Sequence, residues 1–84
     1  MDLFAVKVFV RLRPSVLDPA GEATKSASIK LGAKGIKSIR IGKMIEVKIE
    51  GNGENEVRGK IELLCDRLFA YTVIEDYQYS LEKL

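Results

Sequence analysis

The side chains that most often carry out catalysis are nearly absent from this 84-residue sequence. It contains no histidine and a single cysteine, Cys65. Histidine is the commonest general base and the commonest protein metal ligand, so its absence excludes a Cys-His or Ser-His nucleophile pair and a zinc site. A single cysteine cannot form an internal disulfide, which agrees with the reducing cytoplasm. The composition therefore predicts a chain with no catalytic residues of its own.

Charged side chains are the main polar chemistry of the sequence, and they are unevenly distributed. Residues 1–48 contain ten Lys and Arg against four Asp and Glu, whereas residues 49–84 contain four against eight. A basic half can contact an acidic partner or phosphates, although charges without a long run of one sign are also typical of solvated faces. A GxxG loop at residues 32–35 resembles the loop with which KH modules clamp nucleic acid, but a glycine that ends a helix explains it adequately.

The elements that position these charges begin with a predicted hairpin over residues 36–50. Apolar and polar residues alternate on both sides of Gly42-Lys43, which is typical of two strands that each bury one face. Glycine can adopt the positive φ that a tight turn between right-twisted strands requires. The pattern predicts a central antiparallel hairpin whose core-facing residues are Ile39, Ile41, Ile45, Val47 and Ile49.

A strand is also predicted near each end of the chain. In residues 3–12 one face is apolar and made of Phe4, Val6, Val8, Val10 and Leu12. The opposite face carries Phe9 between Lys7 and Arg11, an apolar spot that another copy of the chain could cover. Residues 73–81 form the last predicted strand. There Glu75 shares a row with apolar residues, which indicates a sheet edge or a subunit contact.

Two helices are predicted between these strands. Asp18 followed by Pro19 is a typical helix start, and Gly32 is a typical residue just beyond a helix end. The first helix should pack closely on the sheet through Ala20, Ala23, Ala27 and Leu31. The second should begin after Asn52 as N-cap and bury Val57, Ile61, Leu64 and Leu68, with Cys65 as a small core residue beside them.

The order of elements is therefore β-α-β-β-α-β in one domain that spans residues 1–84. This order is typical of the α+β ferredoxin-like fold, a four-stranded antiparallel sheet with two helices on one face. The fold serves many functions and does not identify one.

Three segments, residues 13–21, 39–46 and 73–77, resemble the PurS family, the small subunit of phosphoribosylformylglycinamidine (FGAM) synthase. They occur in the family's order, and the resemblance covers essentially the whole chain. It implies a non-catalytic subunit of an enzyme of de novo purine synthesis. It further implies a dimer or tetramer that bridges an ATP-dependent synthetase subunit and a glutaminase subunit and assists ammonia transfer. ATP, Mg²⁺ and glutamine would then be used by the complex, and this chain would bind no cofactor.

The resemblance also implies which residues contact the partners. They are Arg13, Pro14, Asp18, Gly21, Arg40, Gly42, Lys43, Glu46, Glu75, Asp76 and Tyr77. Asp18 and Gly21 could equally serve only in helix capping, and Gly42 only in a turn. Arg13, Arg40 and Lys43 have less structural reason to be present. We therefore expect charge reversal at Arg40 or Lys43 to weaken assembly and to leave the isolated fold intact.

Two alternatives from other functional classes fit the same fold. The first is an RNA-binding module that uses the basic half, although the inner strands lack the aromatic residues on which RNA-recognition sheets stack bases. The second is a small-ligand regulatory domain. No stretch is apolar enough to cross a membrane, and the expected location is the cytoplasm.

Overall fold

A computed structural model describes all residues, 1–84. The chain forms strand β1 (Asp2–Leu12), helix α1 (Pro19–Lys30), strand β2 (Lys43–Gly51), helix α2 (Glu54–Leu64) and strand β3 (Glu75–Lys83). One π-helical turn, Cys65–Phe69, continues α2. Neither helix has the length and apolar character that a membrane span requires.

The three strands form one antiparallel sheet in the order β2-β1-β3. Strand β1 is central because it pairs along its length with both neighbours, with Val6 opposite Val47 on one side and Leu81 on the other. Each outer strand therefore has one unpaired edge. The edge position predicted for the last strand is confirmed.

The core lies on one face of the sheet, under α2. Alternate residues of β1 are buried there, as the sequence pattern predicts, namely Phe4, Val6, Val8 and Val10. Val57, Ile61 and Cys65 of the helical segment cover them and are themselves fully buried. The prediction that Cys65 is a core residue is confirmed.

Two tyrosines of β3 tie α2 to the sheet by polar contacts at the border of this core. The Tyr77 hydroxyl donates to Asp66 Oδ1 over 3.1 Å, and the Tyr79 hydroxyl donates to Glu62 Oε1 over 2.8 Å. Burial, followed by the hydrogen bond to Asp66, raises the pKa of Tyr77 to about 12. Both tyrosines therefore act as neutral donors to helix carboxylates at neutral pH.

The predicted four-stranded sheet is wrong in one strand. Residues 33–42 belong to no helix or strand, and β2 begins only at Lys43. The Ile41 N–H donates to Asp18 Oδ2 over 2.8 Å instead of to a neighbouring strand. This side-chain acceptor and the close approach of Ile39 to Gly21 hold the segment against the start of α1, so the hairpin at Gly42-Lys43 does not form.

The prediction that both helices pack on one face of the sheet is also wrong, because α1 packs substantially on neither the sheet nor α2. Its only buried residue is Gly21, and the alanines expected to contact the sheet are exposed. The molecule is 52 Å long with a radius of gyration of 16.5 Å, against about 12 Å for a compact domain of this length. Residues 18–41, which we call the arm, thus extend away from the core.

Several predicted boundaries also change. The N-cap of α2 is Gly53 rather than Asn52, whose N–H donates to Glu56. Leu68 is 72% exposed because the π turn rotates it out of the buried stripe. Strand β3 begins at Glu75 rather than at residue 73. The start of α1 at Asp18-Pro19 and the positive φ of Gly32 after its end are as predicted.

Candidate functional site: a cleft at the end of the sheet

A half-open cleft of about 910 Å³ lies where β1 ends and β2 and β3 begin. Seven of the eleven residues proposed as contacts from the sequence line it. They are Arg13, Arg40, Gly42, Lys43, Glu75, Asp76 and Tyr77. These residues are far apart in the sequence, and the antiparallel pairing of β3 and β2 with β1 brings them to one end of the sheet.

Arg13 connects the end of β1 to the loop before β3. Its Nη2 donates to the Thr72 carbonyl over 2.6 Å, and its Nη1 lies 3.4 Å from Asp76 Oδ1. Its backbone N–H also donates to the Ile74 carbonyl over 2.8 Å. The ion pair is about half exposed, so its contribution to stability is small. Arg13 therefore shapes one wall of the cleft and keeps part of its guanidinium accessible.

Arg40 has a larger structural part than the sequence suggested. Its Nη2 donates to the carbonyls of Arg13 over 2.8 Å and Leu12 over 3.2 Å, and its Nη1 donates to the Val16 carbonyl over 3.1 Å. These bonds tie the returning end of the arm to the loop after β1. The expectation that Arg13 and Arg40 have less structural reason to be present is therefore wrong for both residues, since Arg13 also bonds to β3 and to the loop before it. Its acceptors are neutral carbonyls, so its positive charge is not cancelled by them.

Asp18 fixes the base of the arm from the other side. Its two carboxylate oxygens accept from the Gly21 N–H over 2.9 Å and from the Ile41 N–H over 2.8 Å. These two bonds, that from Ile41 first, lower the pKa of Asp18, and the nearby Arg40 adds to the effect. Asp18 is thus both the N-cap of α1 and a link between the two ends of the arm.

Two glycines allow the close backbone approaches that build this region. A Cβ on Gly21 would lie 2.1 Å from the Ile39 carbonyl oxygen, and a Cβ on Gly42 would lie 2.4 Å from the Val10 carbonyl oxygen. Neither distance is possible for a real side chain without movement of the backbone. Gly21 and Gly42 therefore position the arm and the cleft wall through the absence of a side chain.

The cleft also contains cations that the protein itself leaves without ionic partners. Lys43 and Arg11 line it, and neither takes part in an ion pair or a side-chain hydrogen bond. Phe9 and Met44, which are opposite each other on β1 and β2, form its apolar part and are about half exposed. The lining therefore offers positive charge beside an apolar spot, a combination suited to binding rather than to bond making.

The remaining predicted contacts lie outside the cleft. Pro14 is exposed in the turn after β1, and Glu46 is exposed on the face of β2 opposite the core, across from Lys7. Sequence reasoning did not propose Arg11 or Thr72 as contacts. Arg11 could have been found from the strand alternation that placed it beside Phe9. Thr72 takes part through its backbone carbonyl, which the identity of its side chain does not indicate.

The only thiol is not available for chemistry in this cleft. Cys65 is fully buried under α2, and burial, followed by the charges of Asp66 and Glu62, raises the pKa of its thiol. No group of three His, Cys, Asp or Glu side chains is arranged to hold a metal ion. The cleft side chains can form ion pairs, hydrogen bonds and apolar contacts with another molecule.

Comparison with known proteins agrees with the motifs in the loops that build this cleft. The family model for PurS, described as phosphoribosylformylglycinamidine (FGAM) synthase, matches residues 5–83. The chain belongs to the PurS family. The PurS subunit of Synechocystis sp. is 44% identical over 78 residues, which cover 93% of this chain and 78% of that protein. The PurS subunit of Bacillus subtilis is 38% identical over 82 residues, which cover 98% and 96% of the two chains.

Solved PurS structures have the same fold. A structure of Bacillus subtilis PurS matches with a TM-score of 0.85 at 39% identity and covers 94% of this chain and 98% of that one. A chain of the PurLQS structure from Thermotoga maritima matches with a TM-score of 0.87 at 26% identity and covers both chains completely. The matches cover nearly the whole chain and therefore include both the arm and the helix that covers the sheet. PurS is a subunit of FGAM synthase in purine biosynthesis.

Proposed function

We propose that this PurS chain is the non-catalytic subunit that holds the synthetase and glutaminase subunits of FGAM synthase together. The observation that carries the proposal is how little of the chain buries itself. Only 11 of 84 residues are buried, and α1 has no cover. An isolated helix of 12 residues is marginal in water, so the arm needs contacts with other chains to be stable.

The proposed assembly surface has two parts, the cleft and the arm. The cleft supplies positive charge at Arg11 and Lys43, and at the partly exposed Arg13, beside Phe9. The arm supplies an uncovered helix held in place by Asp18 and Arg40. Self-association of the chain as a dimer or tetramer fits the unpaired edges of β2 and β3 and the half-exposed Phe9 on the uncovered sheet face. Five further residues remain proposed contacts because the family resemblance implies them, namely Pro14, Glu46, Glu75, Asp76 and Tyr77.

The physical need for such a subunit lies in the chemistry of ammonia transfer. Ammonia released from glutamine would be protonated or lost in bulk water, so the two active sites must be held together and shielded. In this proposal ATP, Mg²⁺ and glutamine bind the other subunits, and the complex works in the cytoplasm. The chain contributes geometry and exclusion of water.

Size-exclusion chromatography with light scattering tests the assembly. The chain is run alone and then mixed with the synthetase and glutaminase subunits of the same organism in the presence of glutamine and MgADP. We expect an oligomer that joins both subunits in one complex. A chain that remains monomeric and separate from both would contradict the proposal.

Charge reversal tests the cleft itself. Lys43→Glu is expected to weaken the complex because Lys43 has no partner within the chain. Arg67→Glu is the matched control, since Arg67 is an exposed cation without an ion pair and lies outside both the cleft and the uncovered sheet face. Equal assembly of the two variants would remove the cleft from the proposed interface.

A further inference from the structure

The far half of the arm carries only positive charge. No Asp or Glu occurs between Glu22 and Glu46, and this interval contains four lysines ahead of Arg40. We call these lysines, Lys25, Lys30, Lys34 and Lys37, the lysine tip. None of them forms an ion pair or a side-chain hydrogen bond, and all but Lys25 are exposed.

The lysine tip lies away from the sheet. Helix α1 starts at the base of the arm and its 12 residues rise about 18 Å along the axis. The molecule is 52 Å long, whereas the 11 residues of β1 account for only about 36 Å. The GxxG loop that reverses the chain, with positive φ at Gly32 and Gly35, is at the far end. The lysines thus lie on a segment that projects from the sheet.

Helix stability explains only one of the four lysines. Lys30 lies in the last turn of α1, where a cation interacts favourably with the helix dipole. Lys25 is a turn earlier, and Lys34 and Lys37 lie beyond the helix. Four like charges on one segment without a counter-charge repel one another where salt does not screen them, so they do not stabilise the isolated chain. A role in binding accounts for the arrangement.

The side chains around the lysines favour a protein surface over a nucleic acid. Ile29 is 53% and Leu31 is 89% exposed between the lysines, and apolar residues surrounded by charged ones are typical of a protein–protein contact. Residues 18–41 contain no aromatic side chain on which a base could stack. The lysine tip also lacks arginine, the residue that binds phosphates with two parallel hydrogen bonds.

A second copy of this chain is a poor partner for the lysine tip because its carboxylates are mostly occupied. Four form ion pairs and four others accept hydrogen bonds from the same chain, in the order Asp2, Glu54, Glu56, Asp76, Asp18, Glu62, Asp66 and Glu75. The remaining four, Glu22, Glu46, Glu50 and Glu82, are divided between α1, β2 and β3. Glu46 and Glu50 on the uncovered sheet face alternate with Lys48. The chain therefore presents no concentrated acidic surface of its own.

We infer that the lysine tip is a docking site for an acidic surface on a different protein subunit of the complex. This inference rests on the proposed function and adds the chemistry of one partner contact. The four ammonium groups pair with partner carboxylates, and the exposed Ile29, on the same face of α1 as Lys25, adds an apolar contact. Such a contact acts mainly on the rate of association and on its dependence on salt.

The test replaces all four lysines of the tip by glutamine and compares the result with a matched variant. The control carries Lys60→Gln, Lys83→Gln, Arg58→Gln and Arg67→Gln, which lie outside the tip, the cleft and the uncovered sheet face, so its net charge changes by the same amount. Circular dichroism checks that both variants keep the wild-type fold. Binding of each to the synthetase, to the glutaminase and to a single-stranded RNA probe is then measured by surface plasmon resonance at 50 mM and 500 mM NaCl.

We expect the tip variant to bind one of the two subunits roughly tenfold or more weakly at 50 mM NaCl, with a much smaller dependence on salt, and the control to stay within about threefold of wild type. Equal weakening of both variants would overturn the inference, because net charge alone would then explain the effect. Wild-type affinity for both partners in the tip variant, or loss of binding only to a single-stranded RNA probe, would overturn it too. Failure of the wild-type chain to bind either subunit would instead contradict the proposed function.

Discussion

The sharpest prediction concerns Arg40, because the structure assigns it a role that differs from that of its neighbour Lys43. Arg40 donates three hydrogen bonds to carbonyls at 2.8, 3.1 and 3.2 Å, whereas Lys43 donates none. A hydrogen bond from a charged donor contributes about 1.5–3 kcal/mol, and less where water can replace it. Since Arg40 is exposed, we estimate that Arg40→Ala weakens attachment of the arm by about 2 kcal/mol in total.

Hydrogen exchange of the Ile41 amide measures this directly. That amide is protected by its bond to Asp18, so it exchanges when the base of the arm opens. A loss of about 2 kcal/mol corresponds to a roughly 30-fold fall in its protection factor. Lys43→Ala is the matched control and should leave the protection of the Ile41 amide unchanged. The amides of β1 should keep their protection in both variants. Equal protection of Ile41 in the two variants would refute the assignment of Arg40 as the tie of the arm.

Three further predictions test the arm, the core and the tyrosine contacts. Gly21→Ala should separate the two ends of the arm at its base, because its Cβ would collide with the Ile39 carbonyl, so limited proteolysis between residues 22 and 38 should become faster. Gly59→Ala, at a site with free space, should not have this effect. Ile61→Ala should lower the free energy of unfolding in urea by about 2–5 kcal/mol, because the side chain is fully buried. Tyr77 binds its proton more tightly in the folded state, so its contribution to stability is complete below pH 10 and is lost as the pH rises toward 12. A Tyr77→Phe variant should therefore lose less stability than the wild type between pH 10 and pH 12.

The sequence predicted the parts of the fold that repeat a pattern over many residues. Strand β1 has five consecutive alternations of apolar residues, and both the strand and its buried face are confirmed. The start of α1 was also predictable, because Asp18 and Pro19 act locally on the backbone that follows. The family resemblance, carried by loop motifs, is confirmed as well.

The errors share one physical cause, since contacts distant in sequence overrode the local pattern. Ile39 and Ile41 alternate as in a strand, but Asp18, 23 residues earlier, accepts the Ile41 N–H and draws the segment to the arm. Alanines at helical spacing predicted a packed face for α1, yet nothing in the chain covers them. Such a face is consistent with the proposed contact with another chain, which one sequence cannot reveal.

The sequence indicated many of the residues that line the cleft but neither the cleft itself nor the contacts among these residues. The family resemblance supplied seven of the residues that line the cleft, because its motifs lie at the ends of β1, β2 and β3 that the sheet brings together. The division between structural and free cations was not predictable, since the bonds of Arg40 join carbonyls that are 24 to 28 residues away in sequence. Only the structure separates Arg40 from Lys43.

The central claim is that this subunit couples two other active sites without catalysing a reaction. Its most direct test is the rate of FGAM formation by the synthetase and glutaminase, measured with glutamine and then with ammonium chloride as the nitrogen source, each with and without this chain. We predict that the chain strongly increases the glutamine-dependent rate and leaves the ammonia-dependent rate nearly unchanged. An equal increase of both rates, or of neither, would contradict the account.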